Sequence, residues 1–267
     1  MSTVTAARAI PLTPPELAAT IRESELAAVL ALLHSLDRDD WYRPTDCAGW
    51  TVHDVLAHLV GQYQDAARPN VFLRHYRAGR RHYPDRTRLA ALTQRQVDEL
   101  GGYPAEQLIE MLATVGPRAL RAASRMPGPL RRLDLPKRLF PEDPLPEPGF
   151  GYLLDVIAVR DTWMHRVDLA LATSRPMVLG NHDREVVAQV VRNVGTAWTG
   201  PPVALELTGP AGGGWTLGSG PPTGTIRAEA VGYLRTLSGR DDQPELAIDG
   251  DPDGVVARLA ATARVVF

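Results

Sequence analysis

Apolar residues in the first two thirds of the chain recur at intervals of three and four, the spacing of one face of an α-helix. The pattern predicts a helix over Glu16–Leu36, opened by Pro14-Pro15, where a missing N–H costs nothing. A further helix is predicted from Pro104 to about Met126, with a kink at Gly116-Pro117. These segments indicate a largely helical first part.

The longest regular pattern lies in Leu153–Ala170, which predicts a helix of about five turns. One face is formed by Leu154, Ile157, Ala158, Asp161, His165, Leu169 and Ala172. That face is apolar except for Asp161 and His165, which lie one turn apart and point the same way. Such a pair can bind a metal ion if another helix supplies a third ligand. It also suits a simple i,i+4 contact on a partly wet helix.

A second helix with a polar residue on its apolar side begins after Thr51. Thr51 can cap this helix, and Asp54 follows three residues later in a capping-box arrangement. His58 then lies among apolar residues, one turn after Asp54. Two interpretations remain open for His58, a hydrogen-bonded core residue or a metal ligand.

Two stretches between these helices are less regular. Helical pieces are predicted around Asn70–Gly79 and Leu89–Leu100, with His75 and His82 taken as surface residues. Prolines then recur through Pro127–Gly149 without periodicity, which predicts a long loop. That loop could line the mouth of a pocket or simply form a surface excursion.

The pattern changes at Ser174-Arg175-Pro176, which predicts a domain boundary between residues 1–174 and residues 175–267. Residues up to Thr13 are expected to form a flexible arm. Beyond the boundary, segments with helical spacing occur among segments with strand-like alternation, and glycines and prolines separate them. This arrangement predicts an α+β domain around an antiparallel sheet. The predicted helices are Asp183–Trp198, Val231–Leu237 and Pro252–Ala263, and the predicted strands are Val203–Leu207, Gly214–Leu217, Thr225–Glu229 and Glu245–Ile248.

The composition excludes several classes of protein but does not by itself assign a function. The chain has 267 residues, of which 44% are hydrophobic and 22% charged, and its net charge of −2 gives no sign of a nucleic-acid or membrane partner. Neither a signal peptide nor a membrane span is recognisable, and Cys47 is the only cysteine, so a cytoplasmic protein without an intrachain disulfide is expected. No phosphate loop, dinucleotide fingerprint or serine nucleophile elbow is found.

Three short motifs together resemble the mycothiol-dependent maleylpyruvate isomerase family. Cys47–Leu59 is similar to its N-terminal signature, in which a Gly-Trp-Thr-Val turn opens a helix whose histidine binds metal. Asp161–Asp168 is similar to its second signature, an acid-x-x-x-His-Arg-x-Asp helix, and Leu237–Arg240 resembles its Leu-x-Gly-Arg turn. The resemblance covers nearly the whole chain, although the arginine-rich segment after Arg68 and the proline-rich loop carry no recognised motif.

This resemblance implies an α+β protein, with an N-terminal DinB-like four-helix bundle followed by a small α+β domain. It also implies a divalent metal, usually zinc, with His58, Asp161 and His165 as ligands by position. The acid in the family is typically Glu, so Asp161 is one methylene shorter and reaches less far. Arg166 and Asp168 would pair structurally or orient the ligand helix.

The resemblance further implies a function that uses the thiol mycothiol. The expected activity is a metal-dependent and mycothiol-dependent isomerase or S-transferase, acting on a small electrophile that bears a carboxylate. Arg240 is the candidate to hold that carboxylate, with a helix-end cap as the alternative. The expected partners are the thiol and the electrophile, and the chain would be a monomer or homodimer. The competing hypothesis is a non-catalytic binding or regulatory module with a structural or vestigial metal site.

Overall fold

The chain divides into two compact units, Pro15–Met177 and a second unit that joins Val178–Phe267 to the segment ending at Pro14. The structure, a computed structural model, describes residues 5–241 and 245–267. The segment expected to be a flexible arm is therefore ordered from Thr5 onward and belongs to the second unit. Whether residues 1–174 and 175–267 fold as separate domains stays a prediction.

The first unit is helical throughout. Its longer helices are α1 (Pro15–Leu33), α2 (Val52–Ala67), α3 (Pro69–His82), α4 (Arg88–Leu100) and α5 (Ala105–Ser124). Short helices α6 (Gly128–Arg131), α7 (Leu135–Leu139) and α8 (Phe150–Tyr152) follow, then a π-helical turn at Leu153–Ile157 and helix α9 (Ala158–Thr173). The helix predicted from Glu16 ends at Leu33 rather than Leu36, and α5 continues through Pro117.

The core of this unit lies where α2 packs on α5 and where α1 packs on both α5 and α9. It is built from apolar residues at the predicted helical spacing, including Leu33, Val55, Leu56, Leu59, Leu108, Leu112 and Leu169. Helices α1 and α5 approach closely at Gly116, where an added Cβ would lie 2.6 Å from the Leu26 side chain. The periodicity of the sequence thus identifies the faces that are buried.

The proline-rich segment is only partly a loop, because it contains α6 and α7. Phe140, at its centre, is buried and makes edge-on ring contacts with Phe72 and Tyr76 on α3. The Tyr76 hydroxyl also donates to the carbonyl of Leu139 at 3.0 Å. These contacts attach the segment to α3.

The second unit is an α+β fold, as predicted. Its elements are β1 (Thr5–Ala6), a short 3₁₀ helix (Ala7–Ala9), α10 (Asn181–Ala197), β2 (Val203–Thr208), β3 (Gly213–Leu217), β4 (Gly224–Glu229), α11 (Ala230–Leu237), β5 (Ala247–Asp249) and α12 (Val255–Thr262). Residues 242–244, which precede the strand predicted at Glu245–Ile248, lie outside the described part.

The sheet is mixed rather than antiparallel, with the strand order β1-β3-β2-β4-β5. Strand β3 returns antiparallel along one edge of β2, and residues 218–223 then lead to the other edge. Since the chain is by then back at the start of β2, β4 runs parallel to β2. Strand β1 pairs with β3 in parallel, and β5 with β4 antiparallel. Alternation predicted the strands but carries no information about their direction.

No helix in the described residues has the length and apolar character needed to cross a membrane.

One buried ion pair joins α1 to α9. The Arg166 guanidinium donates through Nε and Nη2 to the two carboxylate oxygens of Glu25, at 2.8 and 2.9 Å. Both side chains are almost fully buried, at 2% and 1% exposure. A two-pronged pair in this setting is strong only while both charges are present, because a lone buried charge has no water to stabilise it. The expectation that Arg166 pairs structurally agrees with this contact.

Removing one partner of this pair should therefore destabilise the fold more than removing both. We expect Glu25→Met to lower the free energy of unfolding by about 3–5 kcal/mol, because the buried Arg166 guanidinium loses the carboxylate that accepts both of these hydrogen bonds. Glu25→Met combined with Arg166→Met should recover much of that loss. Urea unfolding of the three proteins measures the difference. A double variant less stable than the single one would contradict this account.

Candidate metal centre

A tight turn followed by a capped helix positions His58. The N–H of Thr45 donates to the Trp50 carbonyl at 3.0 Å, and Gly49 has a φ of 81°, a conformation that glycine adopts without strain. The Thr51 side chain accepts from the N–H of Asp54, and the Asp54 carboxylate accepts from the N–H of Thr51 at 2.9 Å. The predicted capping box is thus confirmed.

Helix α9 carries the other two candidate ligands, just after the π-helical turn. Asp155 within that turn is held by Arg22, whose Nη1 lies 2.5 Å from Asp155 Oδ1, and by Arg131. Asp161 and His165 follow in regular α-helix on one face. The predicted continuous helix is therefore interrupted by a wider turn before the two residues of interest.

The structure brings His58, Asp161 and His165 together within the first unit. The Nε2 atom of His58 lies 3.5 Å from Asp161 Oδ2, and Nε2 of His165 lies 3.6 Å from Asp161 Oδ1. The two imidazole rings meet edge to face, with centroids 4.9 Å apart. His58 and His165 are buried, whereas the Asp161 side chain is 23% exposed, so the cluster is accessible on the Asp161 side.

The spacing and chemistry of these donors fit a divalent metal ion. Separations of 3.5 and 3.6 Å are too long for good hydrogen bonds. Two ligand atoms of a tetrahedral zinc ion lie about 3.3–3.5 Å apart, since each bond is about 2.0–2.2 Å long. Two imidazoles and a carboxylate form a donor set that zinc accepts in sites with an open position. All three donor atoms lie within 4.8 Å of one another.

The far nitrogen of each imidazole has its own partner. Nδ1 of His58 lies 2.8 Å from Gln96 Oε1, so an Nδ1–H tautomer would donate to this oxygen and leave the Nε2 lone pair for a metal ion. Nδ1 of His165 lies 3.1 Å from Asp168 Oδ2. Partners of this kind orient metal-binding histidines. Asp168 thus contacts His165 where a residue that orients this ring would lie.

The environment of His165 favours its charged form. Burial opposes the charge, but the Asp161 carboxylate, the hydrogen bond to Asp168 and the Cys47 sulphur outweigh it and raise the pKa of His165 to about 10. A metal ion bound at Nε2 of His165 would therefore replace a proton. Cys47 Sγ also donates to Asp168 Oδ2 at 3.2 Å, so Cys47, His165 and Asp168 form a second donor group that shares His165.

Gln62 holds the Asp161 carboxylate in place. Its Nε2 donates to Asp161 Oδ2 at 2.6 Å, and its Oε1 accepts from the Thr162 hydroxyl at 3.3 Å. The carboxylate is thereby held toward the two histidines although it lacks one methylene relative to Glu. Gln62 was not predicted, but it follows His58 by four residues and so shares its helix face.

His75 was predicted as a surface residue, and this was wrong. The side chain is fully buried. Nδ1 of His75 lies 2.6 Å from Asp65 Oδ1, and its Nε2 lies 3.3 Å from Glu99 Oε1. Burial alone would lower the pKa of His75, but Asp65 and Glu99 outweigh it and hold the pKa above its ordinary value. These acids come from α2 and α4, too distant in sequence for a local pattern to reveal.

The two tryptophans of the motifs differ in role. The Trp50 ring lies against both histidines of the cluster, with centroids 5.2 Å from His58 and 6.3 Å from His165, and forms a wall of the cluster. Trp163 is fully buried in the core.

Arg240 lies in the second unit, directly after α11. Gly239 has a φ of 79°, and the N–H groups of Gly239 and Arg240 donate back to the carbonyls of Thr236 and Arg235, both at 3.0 Å. This turn ends the helix in the manner usual for a left-handed glycine. The role of Arg240 toward a carboxylate stays a prediction.

Comparison with known proteins identifies the family. Residues 22–170, more than half of the chain, match the family described as Mycothiol maleylpyruvate isomerase N-terminal domain. The chain belongs to this family. The matched residues include all three members of the donor cluster, and the resemblance inferred from the motifs is confirmed.

Solved structures agree with the family assignment at the level of the fold. The crystal structure of the mycothiol-dependent maleylpyruvate isomerase, and that of a histidine-to-alanine mutant of it, each match with a TM-score of 0.55 at 14% identity. Each match covers 88% of this chain and 92% of the other. The chain therefore shares the fold of maleylpyruvate isomerase, a DinB-like fold. No curated protein matches the sequence.

The raised pKa of His75 predicts a pH-dependent contribution to stability. The folded protein binds this proton more tightly than the unfolded chain, so the contribution is complete below about pH 6.5, the ordinary histidine value, and is lost as the pH rises through the raised value. Free energies of unfolding from urea titrations, compared with those of His75→Gln, should differ most at acid pH. A difference that is constant or grows with pH would contradict the prediction.

Proposed function

We propose that this member of the family is a metal-dependent and mycothiol-dependent isomerase or S-transferase for a small electrophile that bears a carboxylate. The observation that carries the proposal is the cluster of His58, Asp161 and His165, whose spacing fits one divalent ion, most simply zinc. The family and the similar solved structures, which are named for a mycothiol-dependent isomerase, supply the thiol and the reaction class.

Each residue of the cluster has a distinct task in this proposal. His58 and His165 would bind the ion through Nε2, while Gln96 and Asp168 hold their far nitrogens. Gln62 holds the Asp161 carboxylate in place. When bound, a zinc ion with an open position lowers the pKa of a thiol so that the thiolate forms near neutral pH. The accessible Asp161 side leaves a way in for the small molecules.

The reaction follows from the chemistry of a thiolate and an activated alkene. The sulphur adds to one alkene carbon, and the former double bond becomes a single bond that can rotate. Expulsion of the same thiolate then restores the double bond in the other geometry. No atoms or electrons are gained or lost, so isomerisation needs no further reactant. If the electrophile instead carries a leaving group, the thiolate sulphur forms a bond to that carbon, the leaving group departs with the electrons of its own bond, and the outcome is S-transfer.

Arg240 is proposed to hold the substrate carboxylate. It is half-buried after a rigid helix-ending turn, and a guanidinium can form a planar, two-pronged pair with a carboxylate.

Metal content tests the donor set. We expect His58→Ala and His165→Ala each to weaken zinc binding by more than about 100-fold, since even the loss of a ligand's hydrogen-bond partner costs about 10–100-fold. His82→Ala, an exposed histidine of α3, is the matched control and should bind as the wild type does. Elemental analysis and chelator competition measure this. Unchanged metal content in both ligand variants would exclude the site.

The activity test uses the zinc-loaded protein with mycothiol and maleylpyruvate. Cis-to-trans conversion that needs both the metal and the thiol is the expected result, and a second assay with electrophiles bearing leaving groups covers S-transfer. Protein that binds metal but converts no electrophile in either assay would instead be a non-catalytic module.

The carboxylate anchor predicts a selective defect. Arg240→Lys should lower kcat/KM for a carboxylate substrate by about tenfold or more, because a point charge cannot replace the planar fork. Metal content should stay unchanged. Arg258→Lys, an exposed arginine of α12, is the control. Parallel loss of metal and activity in Arg240→Lys would show a structural role instead.

A further inference from the structure

A row of hydrogen-bonded polar side chains begins at His58, on the side of the ring that faces away from Asp161 and His165, and continues to α4 and α3. Gln96 Oε1 lies 2.8 Å from Nδ1 of His58, and Gln96 Nε2 donates to Asp65 Oδ2 at 2.7 Å. The other oxygen of Asp65 accepts from Nδ1 of His75 at 2.6 Å, and His75 reaches Glu99. Gln96 is 2% exposed and His75 is fully buried.

The Asp65 carboxylate determines which atoms in this row donate hydrogen bonds and which accept them. A carboxylate only accepts hydrogen bonds, so the amide nitrogen of Gln96 must face Asp65. The amide oxygen of Gln96 must then face His58, which requires a proton on Nδ1. The lone pair of His58 is consequently on Nε2, the atom that lies toward Asp161.

Two glycines allow the helices to come close enough for this row. An added Cβ at Gly61 of α2 would lie 2.5 Å from the Cβ of Gln96, so α4 could not pack here against a larger residue. An added Cβ at Gly79 of α3 would lie 2.5 Å from the carbonyl oxygen of Ala91 in α4. The two glycines therefore let α4 pack close enough to α2 and α3 for Gln96 to reach His58.

We propose that Gln96 is a positioning residue, which selects the tautomer and ring orientation of His58 needed for metal binding, and that Asp65 sets the orientation of Gln96. The proposal rests on the metal site of the proposed function. It assigns to α4, which carries none of the three ligands, the task of supporting one of them. It also gives the two ligand histidines unlike partners, a neutral amide for His58 and a carboxylate for His165.

A purely structural role for Gln96 would predict stability effects but no change in the tautomer of His58. The decisive measurement is therefore the tautomer in metal-free protein, read from ¹⁵N chemical shifts of the imidazole at about pH 8. His58→Ala assigns the signals. We expect the wild-type ring to carry its proton on Nδ1. A wild-type ring protonated on Nε2 would overturn the proposal without any variant.

Variants then test the cause. Gln96→Met keeps the length of the side chain but removes the acceptor, so we expect a mixed or reversed tautomer and a loss of zinc affinity of about 10–100-fold. Gln96→Glu must carry a proton on the oxygen that faces Asp65, since two buried carboxylates cannot both be charged at this distance. Its other oxygen then still accepts from His58, so this variant should restore the Nδ1–H form, and it remains informative if Gln96→Met fails to fold. Gln107→Met on the exposed side of α5 is the control. An unchanged tautomer and affinity in folded Gln96→Met would overturn the proposal.

The same experiment distinguishes the positioning role of Gln96 from the proposed metal function. If the tautomer changes in Gln96→Met but even the wild type binds no metal, the positioning of His58 by Gln96 is supported and the proposed metal function fails. If the wild type binds metal but its tautomer does not depend on Gln96, the metal function stands and the positioning role fails.

Discussion

Burying two imidazoles and a carboxylate at one place is the constraint on which the first unit depends. Each polar group removed from water must find a partner, because an unpaired one costs about 1–3 kcal/mol. Behind the cluster the partners are present: Gln96 for His58, Asp168 for His165 and Gln62 for Asp161. On the other side, Nε2 of each histidine faces the Asp161 carboxylate at a distance that suits two ligands of one cation.

The helices are arranged to keep that cluster in place. The turn before α2 and its capping box set where His58 begins its helix, and Gly61 lets α4 pack against α2. Helix α9, which carries the other two donors, is joined to α1 by the buried pair of Glu25 and Arg166. Arg166 directly follows His165 in sequence, so the same helix carries the ion pair and two residues of the cluster.

Local patterns in the sequence predicted most of the helices and strands and marked His58, Asp161 and His165 as polar residues on apolar helix faces, but the choice of these three as ligands came from the family motifs. His58, Asp161 and His165 each interrupt an apolar helix face, which is a signal visible within one turn of helix. The partners of those residues were not predictable, since Gln96 and Asp65 meet only after α2 and α4 pack. His75 looks like a surface residue for the same reason. In the second unit, alternation revealed the strands, but the parallel pairing of β2 with β4 and of β1 with β3 depends on long-range topology.

X-ray absorption spectroscopy of the zinc-loaded protein without added thiol tests the central claim most directly. The account predicts one zinc per chain with only nitrogen and oxygen neighbours at about 2.0–2.2 Å, including the outer-shell scattering of two imidazoles. A sulphur neighbour at about 2.3 Å would instead assign the ion to the group formed by Cys47, His165 and Asp168. That result, or failure to retain zinc in a folded protein, would contradict a centre built on His58, Asp161 and His165.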